Sequence, residues 1–338
     1  MSTYKGIKGF SVKYLSADPP VTNEGQVWYN STDGKLKVFG QVAGGTAWAT
    51  GDNLSVGQSA ARAAGTVTSA VIFGGNTTAD NPFGGSNDTQ SYNGTAWSTE
   101  PDMPYYTAAH FGNGDTNGLS SSIVCGGRDN TSEGLTSTAS WNGTTWSSEA
   151  SFPNAVRYGF CGGTGENIIC SGGLAASPPT AFPNASSTYN GTSWSSAPAL
   201  NTNRSNGFSN GTATSTLATG GCTPPYCTNS SVNETWNGTT WSPATSYPGN
   251  VGGFSEFAGG GMPTGFYSYE ANRTDWNGTS WASGTAAPIS KNSVFGFGTS
   301  SNATFAGGSL PGTPGIVNTT ESWLTSSPSI QAKDITTS

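Results

Sequence analysis

One phrase, Trp-Asn-Gly-Thr-Thr-Trp-Ser, runs from Trp141 to Ser147 and again from Trp236 to Ser242. Near copies occupy Tyr92 to Ser98, Tyr189 to Ser195 and Trp276 to Ala282. Aligned on the first aromatic residue, the copies stand 49, 48, 47 and 40 residues apart, and Trp323 in Thr-Glu-Ser-Trp follows 47 residues later. Phe39 and Trp48 mark a divergent early copy. Between the copies lies a second landmark, an apolar stretch ending in paired glycines, which closes at Gly75, Gly127, Gly173, Gly221, Gly261 and Gly308. Six modules of about 40 to 50 residues, each too small to bury its own faces, point to a tandem architecture in which neighbours cover one another.

The landmarks order each module as strand A, strand B ending in Gly-Gly, a loop, strand C ending in Tyr or Trp, a two-residue Asn-Gly turn, and strand D carrying Trp. Asn-Gly is the strongest short hairpin signal, because a type I′ turn needs positive φ at both central residues. Composition agrees: charged residues are 9%, while Gly numbers 49 and the aromatics are 11 Trp, 12 Tyr and 15 Phe. Most strong helix formers are scarce, and Thr, Ser, Gly, Asn and aromatics suit short strands joined by tight turns. The fold class is all-β. Disorder is excluded by aromatics that recur at regular places.

Four-stranded units of this length are the pattern of propeller blades. The Gly-Gly pair followed by Tyr or Trp and then Trp resembles the kelch repeat, over roughly Ser59 to Trp323. That resemblance implies a kelch-like β-propeller. Its departures are a closer aromatic pair, with four residues between Tyr92 and Trp97, and a fifth unit with little room between strands A and B, which predicts a distorted or three-stranded blade. The sixth unit ends at Trp323 without a following hairpin, so Gly44 to Trp48 is expected to supply its missing strand D and remove an open edge. Six blades are favoured, the alternative being a seventh built from Gln26 to Asn30, Lys35 to Phe39, Thr46 to Ala49 and C-terminal residues. The expected layout is an N-terminal docking segment at 1–23, a β-meander at 24–50 contributing the closing strand, the propeller at 51–325 and a tail at 326–338.

Residues 1–23 break the repeat, mixing apolar and basic side chains before Pro19 and Pro20. Tyr4, Lys5, Ile7, Lys8, Phe10 and Tyr14 are the candidate docking residues, the alternative being that the segment packs on its own propeller. The following Glu-Gly-Gln-Val-Trp-Tyr-Asn-Ser-Thr-Asp-Gly-Lys-Leu-Lys-Val-Phe-Gly resembles the short β-meander of bacteriophage tail-fibre and virion proteins. Its junction with Gly-rich, kelch-like repeats is similar to proteins of marine phages. This resemblance, closest over residues 4–75, implies a particle component that contacts other virion proteins or a host-surface glycan or receptor.

Other classes find little support. The net charge of −7 argues against a nucleic-acid partner. No apolar run approaches a membrane span, and the first residues carry no signal-peptide core, so the expectation is synthesis in the host cytoplasm followed by display on the virion. The five cysteines form no Cys-x-x-Cys pair, and with a single histidine no metal or cofactor is expected. Cys222 and Cys227 could close a small loop, with free thiols the preferred reading. His110 is expected to be a packed or loop residue. The acids show no recurring pair suited to glycoside hydrolysis. A likeness of the Trp-Asn-Gly-Thr-Thr-Trp phrase to sialidase Asp-boxes fails because Trp stands at the aspartate position. Arg62, Arg157, Arg204 and Lys291 recur at A-strand entries, either as a carboxylate clamp or, as preferred, as structural cations stacked on rings or bonded to carbonyls.

The loops between strands B and C differ most among the units and all emerge on one face. Phe83, Phe182, Tyr226, Phe266 and Tyr267 in them are the candidate partner or glycan contacts. The expected function is a non-enzymatic bacteriophage virion protein, attached by its N-terminal segment and displaying a loop face for adhesion or decoration. The alternative is a carbohydrate-active propeller enzyme acting on host polysaccharide.

Overall fold

A computed structural model describes residues 12–20, 26–42, 46–77, 85–114, 120–129, 134–175, 181–251, 256–259, 265–269, 272–298, 302–311, 315–325 and 329–334 of the chain. Among them every regular element is a strand. Internal contacts divide the chain into a smaller unit, Met1–Ala47 with Thr325–Ser338, and a larger one, Trp48–Leu324.

Among the described residues the larger unit holds six four-stranded sheets, antiparallel wherever their register is described. Strands A to D are Arg62–Thr66, Ser69–Phe73, Thr89–Tyr92 and Trp97–Glu100 in the first sheet, and Phe111–Gly114, Ser122–Cys125, Thr138–Trp141 and Trp146–Ser148 in the second. The third has Phe160–Thr164, Asn167–Ser171, Ser186–Tyr189 and Trp194–Ala197; the fourth has Phe208–Thr212, Ser215–Thr219, Asn233–Trp236 and Trp241–Ala244. The fifth has Glu256–Gly259, Gly265–Tyr269, Asn272–Trp276 and Trp281–Ser283. The sixth takes Phe295–Gly298, Ala303–Ala306 and Thr320–Thr325, with Thr46–Gly51 from the start of the chain as its strand D. The A strands touch one another in a closed circuit, the sixth meeting the first. This is a β-propeller.

Burial follows the strand's place in the sheet. Strand B is apolar on both faces, as in Ala70 to Phe73 and Ile123 to Cys125, all without exposed surface. A half-buried strand would alternate, so a continuous apolar run marks a strand covered on both sides. Apolar clusters span the gaps between successive sheets: Tyr92, Trp97 and Ile72 meet Phe295 and Phe297 from the sixth sheet, and Phe73 and Val71 meet Trp141 and Val124 from the second.

The aromatic phrase works at these gaps. In each sheet the aromatic residue at or near the end of strand C lies against the Trp of strand D, with ring centroids 4.9 Å apart for Tyr92–Trp97, 5.5 Å for Trp141–Trp146 and 5.0 Å for Tyr189–Trp194. The remaining pairs, Trp236–Trp241, Trp276–Trp281 and Trp323–Trp48, lie at 5.5, 4.9 and 5.4 Å. Each strand D indole N–H also crosses to the preceding sheet. Trp146 donates to Thr89, Trp194 to the Ala150 carbonyl, Trp241 to Ser186 and Trp281 to the Thr245 carbonyl. Trp48 donates to the Thr285 carbonyl and Trp97 to Thr320, which completes the circle. A tryptophan suits this position because one ring fills the apolar gap while its single polar atom reaches a partner.

The turn between these rings differs from the two-residue type I′ expectation. Tyr92 pairs with Trp97, leaving a four-residue loop. Only the glycine has positive φ, +95° at Gly94, while Asn93 does not. The Asn93 side-chain oxygen accepts from the N–H groups of Thr95 and Ala96 and from the Thr95 hydroxyl, and Asn142, Asn190, Asn237 and Asn277 accept backbone N–H groups in the same way. The Asn is required as a local acceptor that holds the loop, rather than for left-handed backbone.

The paired glycines join sheets. The second N–H of the pair donates to a carbonyl at the entry of the next sheet: Gly75 to Thr107, Gly127 to Val156, Gly173 to Arg204, Gly221 to Val251 and Gly308 to Gln58. A Cβ at Gly75 would lie 2.4 Å from the Ser59 carbonyl oxygen, so a side chain there is excluded. The fifth sheet breaks this rule and corrects the expectation of a distorted or three-stranded blade. Glu-Phe-Ala-Gly is its strand A, Gly265–Tyr269 is its strand B, and it has four strands. Its strands B and C join within Tyr269 to Asn272, which accounts for the short 40-residue spacing.

The closing strand falls where the missing hairpin predicts. Trp48 is half-buried and packs against Phe305 at 4.8 Å as well as Trp323. Trp48→Ala is expected to lower stability by about 2 kcal/mol, less than for a fully buried ring. Equilibrium denaturation followed by tryptophan fluorescence checks this, and an unchanged midpoint contradicts a closing role.

Among the described residues the smaller unit contains one sheet, Lys13–Leu15, Val27–Asn30, Lys35–Val42 and Ser329–Asp334 in that order. The first pair is parallel and the others antiparallel. The residues of the proposed seventh blade are thus gathered here, apart from Thr46–Gly51, and 326–338 includes a paired strand rather than only a tail. Trp28 and Phe39 are buried with centroids 4.4 Å apart. Asp18 binds three side chains, accepting from Trp28 at 3.1 Å, Asn30 at 2.8 Å and Lys37 at 3.0 Å. Its bonds with Asn30 and Lys37 hold its carboxyl below the usual range.

Candidate functional site

The connections from strand B to C and from D to the next A leave from the same edge of an antiparallel sheet, so they share one face of the propeller. Five large apolar side chains of the larger unit are exposed among the described residues: Val56, Tyr106, Tyr226, Ile289 and Leu310. All five lie on these connections. The opposite face carries the Asn-Gly-Thr turns, whose polar groups bond to one another. Loop residues of this kind on one side of the sheets are the candidates for contact with another molecule.

Tyr226 is the most prominent, 89% exposed. It sits in a hairpin of Cys222–Thr223 with Thr228–Asn229, closed by a Cys222–Cys227 disulfide. The preference for free thiols is corrected here, because the hairpin brings the two Cα atoms to 4.6 Å. The clamp and the neighbouring prolines present the phenol on a stiff support, which limits the entropy lost on contact.

The other loop candidates fare differently. Phe182 is 7% exposed and belongs to the core. Phe266 and Tyr267 are in strand B of the fifth sheet, opposite Gly259 and Ala258, and not in a loop. The cause is the displaced Gly-Gly landmark, which made strand A look like strand B. Phe83 lies outside the described residues, as do Tyr4, Lys5, Ile7, Lys8 and Phe10. Tyr14 is in the first strand of the smaller unit, 76% exposed, with its ring 4.8 Å from that of Tyr29. Tyr106 was missed because it stands in a D-to-A connection; the adjacent tyrosines of Met-Pro-Tyr-Tyr were the available signal.

The four cations expected at equivalent A-strand entries occupy three different positions. The carbonyls that receive the second-glycine N–H belong to Gln58, Thr107, Val156, Arg204 and Val251, and the bridge Asn292 to Ser309 matches Ser205 to Cys222, placing Lys291 in the same set. Arg157 is one residue further on, and Arg62 is inside strand A. Two residues before the strand C aromatic stand Gln90, Ala139, Ser187, Glu234, Thr274 and Glu321. The two positions face each other. Arg204 binds Glu234 at 3.0 Å, Lys291 binds Glu321 at 2.6 Å, and Gln90 donates to Gln58 at 2.8 Å. Where one side is Val156 or Val251 the other is Ser187 or Thr274.

These inner polar groups are consumed by the fold. Arg204 donates to the carbonyls of Gly220 and Val232, and Gln58 to those of Gly74 and Asp88. Arg204 also lies over the Phe160 ring at 5.1 Å. Burial pulls the Arg204 and Lys291 cations below their usual ranges, and the facing carboxylates oppose it. The carboxylate-clamp expectation therefore fails for Arg204 and Lys291. His110 is fully buried beside Phe73, and burial holds its imidazole well below the usual range, so it is a packed neutral residue.

Two further arginines, Arg128 and Arg157, stand on the connections of the second and third sheets, Arg128 buried and Arg157 half-buried. Arg128 follows the second glycine pair, and Arg157 lies 5.9 Å from the Tyr158 ring centroid. Burial lowers the Arg128 cation with help from Arg157, while burial raises the Tyr158 phenol against the pull of both arginines. The three side chains are thus close enough to feel one another's charge.

No protein-family model and no curated protein sequence matches this chain. Among solved structures, that of YjhT is similar, with a TM-score of 0.64 at 12% identity, over 83% of this chain and 99% of the other. At that identity the likeness is one of fold, and it agrees with a β-propeller.

Proposed function

We propose that this chain is a non-enzymatic bacteriophage virion protein, held on the particle by its N-terminal segment and using the connection face of its propeller to contact another protein or a host-surface glycan. The observation that carries the reading is the placement on one face of the five large apolar side chains that are exposed among the described residues of the larger unit, with Tyr226 on a disulfide-clamped hairpin. Support for the attachment half comes from the phage-like meander, which has its own core of Trp28 and Phe39 and its own polar centre at Asp18.

The structure shapes the test of attachment. Removing residues 1–23 would also delete the strand Lys13–Leu15 and Asp18, and so damage the sheet itself. Removal of residues 1–11 is the cleaner variant. It is expected to keep the circular dichroism spectrum and melting temperature of the parent yet fail to enter particles, as read by immunoblotting of purified virions. Normal incorporation overturns the docking role. For the display half, Tyr106→Ala with Tyr226→Ala is expected to reduce adsorption of particles to host cells about tenfold or more, in keeping with exposed aromatic anchors, at unchanged melting temperature. Undiminished adsorption, with density for the face buried inside the particle, would move the contact to another virion protein.

A second reading is a carbohydrate-active propeller enzyme acting on host polysaccharide, in which the half-buried Arg157 on the connection face would meet an acidic sugar. Release of oligosaccharide by purified protein, abolished by Arg157→Ala, would favour it over display alone.

A further inference from the structure

Three of the five cysteines converge between the second and third sheets. Cys125 ends strand B of the second sheet, and Cys161 and Cys170 face each other across strands A and B of the third. All three are buried, and their sulfurs lie within 4.8 Å of one another. Cys161 and Cys170 form a disulfide, while the Cys125 sulfur stands 3.5 Å from that of Cys170. The surroundings are Phe111, Ile123, Phe152, Ile168 and Tyr189, which supply neither a charge to balance three thiolates nor a fourth ligand. A resident metal ion is therefore disfavoured, and sulfur exchange is the chemistry open to the group.

We propose that the trio is a disulfide-relocation site: one disulfide shared between a Cys161–Cys170 pairing inside the third sheet and a Cys125–Cys170 pairing that ties the second sheet to the third. The step is an isomerisation. The Cys125 thiol gives up its proton and its thiolate attacks the Cys170 sulfur; the Cys125–Cys170 bond forms, the Cys161–Cys170 bond breaks, and the released Cys161 thiolate takes up a proton. No external oxidant or reductant is consumed. The sulfurs form a triangle rather than the line that attack requires, so relocation needs side-chain rotation and accompanies opening of the gap between the sheets. Burial raises the Cys125 thiol well above its usual range, which keeps the exchange slow while the gap stays packed.

The two pairings differ in what they constrain. The first closes a loop of 9 residues within one sheet, and the second joins residues 45 apart in neighbouring sheets. Relocation thus turns a local cross-strand link into a clamp on the wall of the ring.

Peptide mapping distinguishes the pairings, because cleavage after Arg128, Arg157 and Glu166 places each cysteine on a separate peptide. The full-length protein is equilibrated in a glutathione and glutathione-disulfide buffer, acid-quenched, blocked with N-ethylmaleimide after denaturation, and mapped by mass spectrometry. The wild type is expected to show mostly the Cys161–Cys170 link with about 1 to 10% Cys125–Cys170 link, a typical share for a minor state. Cys161→Ser is expected to raise the second link at least about tenfold, and Cys125→Ser to abolish it. Absence of the Cys125–Cys170 peptide from the wild type overturns the proposal, whether or not either variant folds. A folded Cys161→Ser protein with both remaining trio thiols fully blocked overturns it independently.

Discussion

Replacing Glu234 by alanine is expected to destabilise the larger unit by about 3 to 5 kcal/mol, the range for stranding a buried charge. The Glu234 carboxylate accepts from the Arg204 guanidinium, the Asn201 backbone and side chain, and the Thr202 backbone. Arg204 has no exposed surface, so loss of the carboxylate leaves it charged in a dry gap with no replacement anion among its described partners. The molecule itself supplies the control. At the same two positions the fifth unit has Val251 and Thr274, so Arg204→Val with Glu234→Thr copies a solution already used in this ring. The double variant is expected to regain most of the loss, since an apolar pair often equals a buried ion pair. Urea denaturation of the three proteins measures both effects, and a double variant no more stable than Glu234→Ala would show that the positions are not interchangeable.

Trp141→Ala is expected to cost a similar amount, about 3 to 5 kcal/mol, for a different reason. Trp141 is 2% exposed and fills the gap between the first and second sheets, against Val71, Phe73, Val124 and Trp146. The loss is packing and cavity energy, independent of salt and of pH between about 5 and 9, because no ionised partner is involved. A denaturation midpoint that shifts with ionic strength more in this variant than in the parent would contradict that account. Comparison with Trp48→Ala tests whether the closing gap is weaker than an interior one.

Much of this architecture was legible because the same residues recur for a geometric reason. The aromatic phrase located strands C and D in every complete unit, and its absence after Trp323 located the closing strand. The errors arose where a motif had more than one physical cause. Gly-Gly follows strand B in five sheets because its N–H must reach the next sheet, but glycines also follow strand A in the fifth, and periodicity alone does not separate them. That shift sent Phe266 and Tyr267 to a loop they do not occupy. The cations were misaligned because they are out of register: Arg62 lies inside strand A, and Arg157 stands one residue after the position that Arg204 and Lys291 share. Their carboxylate partners, Glu234 and Glu321, lie 30 residues downstream and become recognisable only once strand C is in register. Exposure was least legible: Phe182 and Tyr226 stand in comparable loops, and only the folded chain separates buried from displayed.

The strand Thr46–Gly51 leaves the ribosome long before Thr320–Thr325, its partner in the sixth sheet. At about 5 to 20 residues per second, the interval is roughly 15 to 50 seconds. Throughout that time the nascent chain carries an unmatched ribbon at its front and a growing row of half-covered modules behind it. A product cut short anywhere before residue 320 can never mate the two, and it keeps edges that invite aggregation or proteolysis. Closure of the sixth sheet is thus open only to chains that extend through Thr320–Thr325.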